Sequence, residues 1–347
     1  MQTENLLQQL LRKNNMKKNI KLVAATVVAM GLMASPASYA KEIVIKFSHV
    51  TTEATPKGKG AMLFKKLVDE RLGGKVRVEV YPSSQLYGDK AVLKALLLND
   101  VQLAAPSLSK FSKYTKQWAL FDLPFLFKNP QSLNCFTDSP KGQALLGATE
   151  RKGIKGLGYW LNGMKQISAN TPLITPDNAK GLKFRIMSSD VLKAQFEAVD
   201  ANPQKMAFSE VYNALATGVI DGQENTWSNI RSKKFFEVQT DTTISNHGVL
   251  EYALVTNKRF WNSLPTDIRM QLDQIISEVT AEVTQFALDA AVKDMKTVAD
   301  SGKTNIHTLT DSQKQQWVAA MKPVWAQFED QVGKDNIAAV QQCNAQN

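Results

Sequence analysis

The chain contains 347 residues, of which 44% are hydrophobic, and its formal net charge is +10 at pH 7. This length exceeds what one typical core occupies, so we expect two domains, and the hydrophobic content excludes a largely disordered chain. The basic residues are spread along the sequence rather than clustered, which argues against a nucleic-acid-binding protein.

The first 40 residues have the composition of a secretory signal peptide. Three lysines precede an apolar run over residues 22–33, and small residues, Ser38 and Ala40, close the segment. The run is shorter than the ~20 apolar residues that a membrane span needs. We expect translation to start at Met16, cleavage after Ala40, and a soluble protein in the periplasm with a net charge of +6. A retained N-terminal anchor is the alternative.

Strand and helix patterns alternate after the predicted signal peptide. Apolar alternation predicts strands at residues 43–47, 76–80 and 102–105, and helical spacing predicts helices at residues 57–72 and 89–98. This order predicts a mostly parallel sheet with helices on its faces. Such sheets bind ligands beyond the carboxyl ends of their strands.

A second α/β unit follows the first. Its predicted strands cover residues 153–160 and 166–169, on either side of Asn162-Gly163, and residues 181–187, 219–220 and 253–256. One helix is predicted at residues 188–199, and Ser209 caps another that ends at Gly218. Residues 221–225 are predicted to leave the sheet.

Two long helical stretches are predicted at the end of the chain. Residues 266–299 keep a helical apolar pattern without a proline, and a helix of that length spans ~50 Å. We expect it to lie across both domains; two helices with a break are the alternative. Thr310 caps the second stretch, and Pro323 predicts a kink in it.

The strand predicted at residues 181–187 raises a question about one arginine. Leu182, Phe184 and Ile186 mark its buried face, and Arg185 lies on the other face. Such an arginine usually faces water. It can also face a cleft and hold an anion, and the alternation by itself does not separate the two.

Familiar catalytic and metal-binding motifs are missing from the sequence. There is no H-E-x-x-H, C-x-x-C or G-x-S-x-G, and the glycines at residues 58–60 and 153–163 lack the spacing of nucleotide-binding loops. We therefore expect a binding protein without a catalytic residue, metal or cofactor. An exported hydrolase with an unfamiliar site is the alternative.

Two other residue pairs have ordinary structural interpretations. Asp221 and Glu224 fit turn and capping groups better than an acid–base couple. Cys135 and Cys343 are the only cysteines; they can pair in an oxidising compartment, but two thiols alone cannot make a structural zinc site. Their separation along the chain leaves the disulfide undecided.

Five segments together indicate a family. They are Y-P-S-S-Q-L at Tyr81–Leu86, N-G-M-K-Q-I-S-A-N at Asn162–Asn170, G-L-K-F-R at Gly181–Arg185, M-A-F-S-E-V-Y-N-A-L at Met206–Leu215 and V-I-D-G-Q-E-N at Val219–Asn225. In this order they resemble the substrate-binding components of tripartite ATP-independent periplasmic (TRAP) transporters, of the DctP type that binds four-carbon dicarboxylates. The resemblance covers essentially the whole mature chain.

The resemblance implies an α/β, two-lobed periplasmic binding protein fold (a Venus flytrap) with a long helix spanning both lobes. It places one lobe at residues 41–161 plus 250–290 and the other at residues 162–249 plus 291–347. It further implies a monomer that binds malate, succinate or fumarate and delivers it to the large and small permease subunits of the membrane. No nucleotide site is expected.

The resemblance also assigns ligand-binding roles. Arg185 matches the arginine that pairs with a ligand carboxylate, so Lys183 becomes the solvated residue of that strand. Asn225 matches a residue that hydrogen-bonds the same carboxylate, although a turn asparagine is the ordinary interpretation. Phe208 matches a ring that lines the cleft, although it also fits a hydrophobic staple before a helix.

Two positions depart from relatives that bind larger sugar acids. Lys165 stands where many of them have arginine, so it keeps the charge without the bidentate geometry and is expected to meet the second carboxylate. Ser107 stands where they have glutamate, which favours a small dianion.

Four further residues lie in matching loops as weaker ligand-binding candidates: His49, Gln85, Asp89 and Trp227. For His49, a local hydrogen bond is the equal alternative. His247 resembles a structural position near the crossing between the lobes.

Two other functions stay open at this stage. Within the same family the ligand can be another organic acid, such as a keto, aromatic or sugar acid. The chain can also be a periplasmic sensor that reports the ligand to a receptor kinase. Permease genes beside this one would favour transport, and a two-component kinase gene would favour sensing.

Overall fold

The computed structural model describes residue 9 and residues 42–347. The predicted signal peptide, its start and its cleavage site lie outside this part of the chain. Within residues 43–347 the chain forms one compact unit. None of the helices in the described part is long and apolar enough to cross a membrane.

Ten β-strands are present in the described residues. They are β1 (Ile43–Ser48), β2 (Val76–Tyr81), β3 (Leu103–Ala104), β4 (Ile154–Ala169), β5 (Lys183–Ile186), β6 (Asn202–Lys205), β7 (Gly222–Thr226), β8 (Asp241–Ile244), β9 (Val249–Asn257) and β10 (Asn305–Thr308). The predicted α/β class is therefore confirmed in its secondary structure. The strands β6, β8 and β10 were not predicted.

Twelve α-helices accompany these strands in the same part of the chain. They are α1 (Pro56–Leu72), α2 (Asp89–Leu97), α3 (Pro130–Asp138), α4 (Pro140–Leu146), α5 (Asp190–Glu197), α6 (Val211–Ala216), α7 (Trp227–Ser232), α8 (Lys258–Ser263), α9 (Thr266–Asp300), α10 (Asp311–Met321), α11 (Val324–Val332) and α12 (Lys334–Gln346).

The strands form two sheets that share β4. The first sheet has the order β2-β1-β3-β9-β4. In the second sheet β4 pairs with β7, which continues to β5 and β6, and also with β8, which continues to β10. The pairs β1–β2, β1–β3, β5–β6 and β5–β7 are parallel, whereas β4 and β9 run antiparallel to their neighbours. The prediction of a mostly parallel sheet is thus correct for these four strand pairs and wrong for the two long strands, β4 and β9.

The strand β4 carries the chain from one sheet to the other. Residues 154–164 pair with β9, and residues 165–169 pair with β7. The register shifts between Leu161 and Gly163, where Gly163 has φ +125°. Such a backbone conformation favours glycine. The prediction of two separate strands around Asn162-Gly163 is wrong: the dipeptide makes a bulge inside one continuous strand.

Two further predictions were wrong, one about β7 and one about the start of α6. The strand begins at Gly222 and includes Asn225, whereas Val219, predicted to be in the sheet, is 58% exposed. Ser209 does not cap α6; it lies within a 3₁₀ turn at Phe208–Glu210 that precedes the helix. The pattern of G-Q-E-N-T hides the strand because its buried side chains are polar.

The long helix α9 is continuous over 35 residues, as predicted. Near its middle, Val283 packs against Gly60 of α1, and Thr280 accepts a hydrogen bond from the indole of Trp160 at 3.0 Å. Towards its end, Val298 belongs to a core with Trp227 of α7. The helix therefore contacts elements beside both sheets.

The last two helices, α11 and α12, pack on the first sheet's side of the molecule, whereas the Trp317 indole of α10 donates to the Ile174 carbonyl beside the second sheet at 3.1 Å. Thr310 caps α10 as predicted, and the predicted kink is a full break between α10 and α11 around Pro323. The Trp325 indole donates to the Pro124 carbonyl at 2.8 Å. Cys343 of α12 forms a disulfide with Cys135 of α3, which answers the open question about the cysteines.

Candidate functional site

A cavity of about 610 Å³ lies where the two sheets meet. Its volume is typical of small-molecule sites. The first-sheet side contributes Asp89, Ser107, Lys110, Leu250 and Tyr252, and the second-sheet side contributes Lys165, Arg185, Met206, Phe208, Glu224, Asn225 and Asn229. Lys165, Arg185, Glu224, Asn225, Leu250 and Tyr252 lie within strands, and the other residues lie in the segments that follow β2, β3, β6 and β7.

Arg185 is the most buried charge of the cavity wall that has no ion-pair partner among the described residues. It lies in β5 and is 3% exposed. Its Nε and Nη2 both donate to the Met206 carbonyl, at 3.2 and 3.0 Å. This fixes one side of the guanidinium and leaves the Nη1–Nη2 edge for a carboxylate, the geometry of a bidentate pair. Burial lowers the pKa of Arg185 to about 10, so it stays charged at neutral pH.

No carboxylate of the described residues lies within ion-pair distance of Arg185. Burying an unpaired charge is costly, so such a group is usually paired or serves a ligand. Phe208 covers the guanidinium, with its ring centre 5.8 Å away, and the same ring packs edge-on against Phe235. The exposed Lys183 confirms the solvated position predicted for it.

Asn225 belongs to a hydrogen-bonded chain across the floor of the cavity. Its Oδ1 accepts from the Asn229 side chain at 2.8 Å and from the Thr226 backbone at 3.1 Å. The Asn229 amide also donates to the Tyr252 hydroxyl at 3.4 Å. Because Oδ1 is used twice, the Nδ2 donor of Asn225 remains for a ligand.

Lys165 has a partner inside the protein. Its Nζ donates to Glu224 Oε2 at 2.6 Å, and both side chains are 1% exposed. The same oxygen accepts from His247 Nε2 at 2.8 Å, while His247 Nδ1 contacts the Ser245 hydroxyl at 2.7 Å. Burial raises the pKa of Glu224, but Lys165 and His247 outweigh it and lower the value to about 2.

This arrangement corrects two sequence interpretations. Lys165 does not offer a free point charge to a second carboxylate, because Glu224 neutralises it. Glu224 is not a turn or capping group. Asp221 does not pair with it as an acid–base couple: the Asp221 carboxylate accepts from the backbone N–H of Lys183, 38 positions away at the start of β5, at 2.7 Å.

Two weaker candidates line the cavity. Ser107 is buried there, and its hydroxyl donates to Ser109 at 3.1 Å. Asp89 lines the same wall as the first residue of α2.

Three candidates lie away from the cavity wall. His49 is buried beside Thr51, and burial lowers its pKa to about 3. Gln85 is exposed, and Trp227 packs in an apolar core with Phe235. The structure therefore gives Trp227 a packing role and gives one ring nitrogen of His49 a local contact with Thr51, while the buried His49 Nε2 has no hydrogen-bond partner within residues 42–347.

Sequence reasoning missed several residues of the wall, among them four polar ones that are withdrawn from water: Lys110, Glu224, Asn229 and Tyr252. Beneath them lies Lys57, which is fully buried, donates to the Ala105 carbonyl at 2.9 Å and sits 3.6 Å from the Tyr252 ring centre. The signal available in the sequence was a lysine on the apolar face of the helix predicted at residues 57–72.

The cavity wall carries an excess of positive charge. Six basic residues line it: Lys90, Lys110, Lys113, Lys165, Arg185 and Lys205. Four acidic residues line it: Asp89, Asp190, Glu210 and Glu224. The excess of two charges suits an anion, and no group of three or more potential metal ligands occurs among the described residues.

Comparison with known proteins agrees with this geometry. The family model DctP, described as bacterial extracellular solute-binding protein, family 7, matches residues 47–331. A C4-dicarboxylate-binding periplasmic protein DctP from Shewanella loihica is 55% identical over 318 residues, which cover 92% of this chain and 95% of that protein.

Two solved structures are similar over nearly their whole length. A TRAP periplasmic solute-binding protein from Shewanella oneidensis with bound succinate is 55% identical, with a TM-score of 0.86 over 87% of this chain and 99% of that chain. One from Pseudomonas aeruginosa with bound L-malate is 46% identical, with a TM-score of 0.81 over 82% and 100%. These likenesses confirm the predicted two-lobed α/β fold.

Proposed function

The chain belongs to the bacterial extracellular solute-binding proteins of family 7, and on that premise we propose that it captures succinate, malate or fumarate in the periplasm for a TRAP transporter. The observation that carries the proposal is Arg185: a buried cation, oriented by a carbonyl, without a carboxylate partner in the described residues, facing a cavity with an excess of two positive charges. Such a group binds a ligand carboxylate bidentately.

We propose that the ligand is held from both sides of the cavity. Arg185 and Asn225 bind one carboxylate from the second sheet, and Phe208 covers it. Residues of the first sheet's side then close over the rest of the ligand. Closure excludes water, and the ligand favours the closed form only through its extra contacts there.

The lobes of this mechanism follow the two sheets. We propose residues 41–161 and 250–290 for one lobe and residues 162–249 with 291–323 for the other. The predicted assignment of residues 324–347 to the second lobe is revised, because α11 and α12 pack on α3 and the segment before it.

The remaining parts of the proposal concern partners and location. The protein acts as a monomer, is exported with cleavage after Ala40, and delivers its ligand to the large and small permease subunits. It neither transforms the ligand nor requires a cofactor. Incubation of purified protein with each acid, followed by chromatography, should return the acid unchanged.

A thermal-shift screen of the mature protein tests the ligand class. A ligand at 100 times its dissociation constant adds about 2.7 kcal/mol to stability, which is visible as a melting shift. We expect shifts with succinate, malate or fumarate. Shifts with sugar, keto or aromatic acids alone would overturn the dicarboxylate assignment.

Calorimetry on Arg185 variants tests the site. Removal of a buried charged partner costs about 2–5 kcal/mol in related interfaces, so we expect Arg185→Ala to lose binding by at least that amount. Arg185→Lys should recover only part of it, because lysine lacks the planar fork. Unchanged affinity in Arg185→Ala would contradict the proposal.

A further inference from the structure

We infer that Lys110 is the second anion anchor of the cavity, binding the far carboxylate of the ligand and making the site select dianions over monoanions. This inference rests on the proposed function, in which Arg185 binds the near carboxylate. It replaces Lys165, the residue that the sequence suggested for this role.

Four of the six basic residues in the cavity wall are unsuited to this role. Lys165 is paired with Glu224 at 2.6 Å, and Lys205 is paired with Asp190 at 2.8 Å. Lys90 and Lys113 are exposed. An exposed ammonium remains in water and contributes little to a single ion pair.

Arg185 and Lys110 remain, and they share two properties. Both are withdrawn from water: Arg185 is buried and Lys110 is half-buried in a 3₁₀ turn at Leu108–Lys110. Neither has a carboxylate within ion-pair distance among the described residues. They approach the cavity from opposite sheets, since β5 carries Arg185 and the segment after β3 carries Lys110.

The charges around Lys110 leave it short of a counter-ion. Asp89 and Asp122 attract its ammonium, whereas Arg185 and Lys90 repel it. Burial is the largest influence and lowers the pKa of Lys110 to about 8. A carboxylate bound beside it would offset the free-energy cost of burying the ammonium and its repulsion from Arg185.

Two unpaired cations in one cavity favour a ligand with two carboxylates. A dianion compensates both groups, whereas a monocarboxylate leaves one buried cation uncompensated. Arg185 fixes the orientation of the ligand through its planar fork, while the flexible ammonium of Lys110 is a point charge. This combination tolerates small differences in the length and hydroxylation of the acid.

Titration calorimetry with succinate and monomethyl succinate tests the inference. The two ligands have the same chain length and differ by one charge. We expect Lys110→Met to weaken succinate binding by roughly 30-fold or more, as for other buried charge partners. Monomethyl succinate should change by less than about 3-fold, so the preference for the dianion collapses.

Lys116→Met is the matched control. It removes an exposed lysine a few residues further along, outside the main cavity. We expect its affinity for both ligands to stay within about 3-fold of the wild type. A melting curve of each variant checks folding, and Lys110→Gln serves where the methionine variant does not fold.

Proton uptake gives a readout that a purely structural lysine would not move. At about pH 8 part of the free protein has a neutral Lys110, and the bound carboxylate raises its pKa again. Succinate binding measured in buffers of different ionisation heat should therefore take up a fraction of a proton in the wild type. Lys110→Met should abolish this uptake.

The outcomes separate this inference from the proposed function. If the wild type binds succinate and Lys110→Met keeps both affinity and preference, the inference is overturned and the proposed function stands. If the wild type binds no dicarboxylate, the proposed function fails and the inference fails with it.

Discussion

At the level of single residues, the cavity contrasts two kinds of buried charge. Lys165, Glu224 and His247 satisfy one another, whereas Arg185 hydrogen-bonds only a carbonyl among residues 42–347. An internal pair stabilises the wall only while both members are present, because either charge alone is stranded in a poorly solvated site. A buried cation without a protein carboxylate beside it is instead neutralised by a bound anionic ligand.

The Lys165–Glu224 pair is expected to behave as a unit. Lys165→Met should lower the free energy of unfolding by about 3–5 kcal/mol, since it strands the Glu224 carboxylate. Adding Glu224→Gln should restore most of this loss. Urea unfolding of both variants checks the prediction. Lys193→Met is the control: Lys193 pairs with Glu197 on the surface, so its removal should lower the free energy of unfolding by less than about 1 kcal/mol. A double variant no more stable than Lys165→Met would contradict it.

Glu251 makes stability depend on pH. It is 2% exposed in β9, its Oε2 lacks a hydrogen-bond partner in the described part of the chain, and burial with Asp138 raises its pKa well above the usual value. The folded state therefore keeps a proton that the unfolded state releases, so this contribution to stability is lost as pH rises.

Glu251→Gln replaces the titrating carboxyl group with a neutral amide, so the folded and unfolded states no longer differ in the protons bound at this position. We expect the variant to gain stability relative to the wild type as pH rises above about 4.5, where the unfolded carboxyl is ionised. Urea unfolding at several pH values in this range measures the difference. A difference that does not change with pH would show that Glu251 is ionised in the folded protein.

At the level of elements, α9 and the two long strands connect the sheets. The helix contacts α1 near its middle and α7 near its end, and β4 changes sheets at its bulge. Close packing of α9 on α1 depends on Gly60, because a Cβ there would come within 2.3 Å of Val283 Cγ2. The two helices approach closely at Gly60 because glycine has no side chain there to contact Val283.

Gly60→Ala tests this close contact. Overpacking of a core costs about 1–3 kcal/mol, so we expect a loss of stability in that range. Val283→Ala in the same protein should recover part of it, since it removes the clashing methyl groups. Gly147→Ala is the control, because a Cβ at that position meets nothing within 4 Å. Thermal unfolding compares them, and a loss no larger than that of the control would contradict the proposed packing.

At the level of the whole molecule, function depends on two sheets that present different groups to one cavity. Arg185 and Asn225 come from the second sheet, and Lys110 and Tyr252 come from the first sheet's side. A ligand that binds both sides favours the conformation in which they are nearest. The chain crosses between the sheets through β4, β9 and α9, which are the places where a hinge would act.

Small-angle scattering of the mature protein tests this closure. We expect saturating succinate to decrease the radius of gyration of the wild type. Arg185→Ala at the same ligand concentration should show no decrease, because it does not bind. An unchanged radius in a wild type that calorimetry shows to be saturated would mean that capture occurs without closure.

Local patterns were sufficient where one periodicity dominated. The uninterrupted apolar spacing of residues 266–299 predicts α9, and the alternation around Arg185 predicts β5. The family likewise follows from segments that are continuous in the sequence. Burial of one face is a local property, so a short window contains the information.

The strand β7 and the cation Lys110 were not predictable in this way. The residues of β7 are polar but completely buried, because their partners are polar groups from distant segments rather than apolar side chains. Lys110 looks like a surface lysine in its local sequence. Composition describes the residue, whereas its environment depends on elements far along the chain.

The family, the long helix and the arginine strand are thus encoded in the order and periodicity of the residues. Tertiary structure decides which charges remain for a ligand. Lys165 and Glu224 are 59 positions apart and meet only because β4 and β7 pair in one register. That register neutralises the lysine which the motif favoured, while Arg185 and Lys110 have no carboxylate within ion-pair distance in the described part of the chain, since electrostatic partners depend on distance in space rather than along the chain.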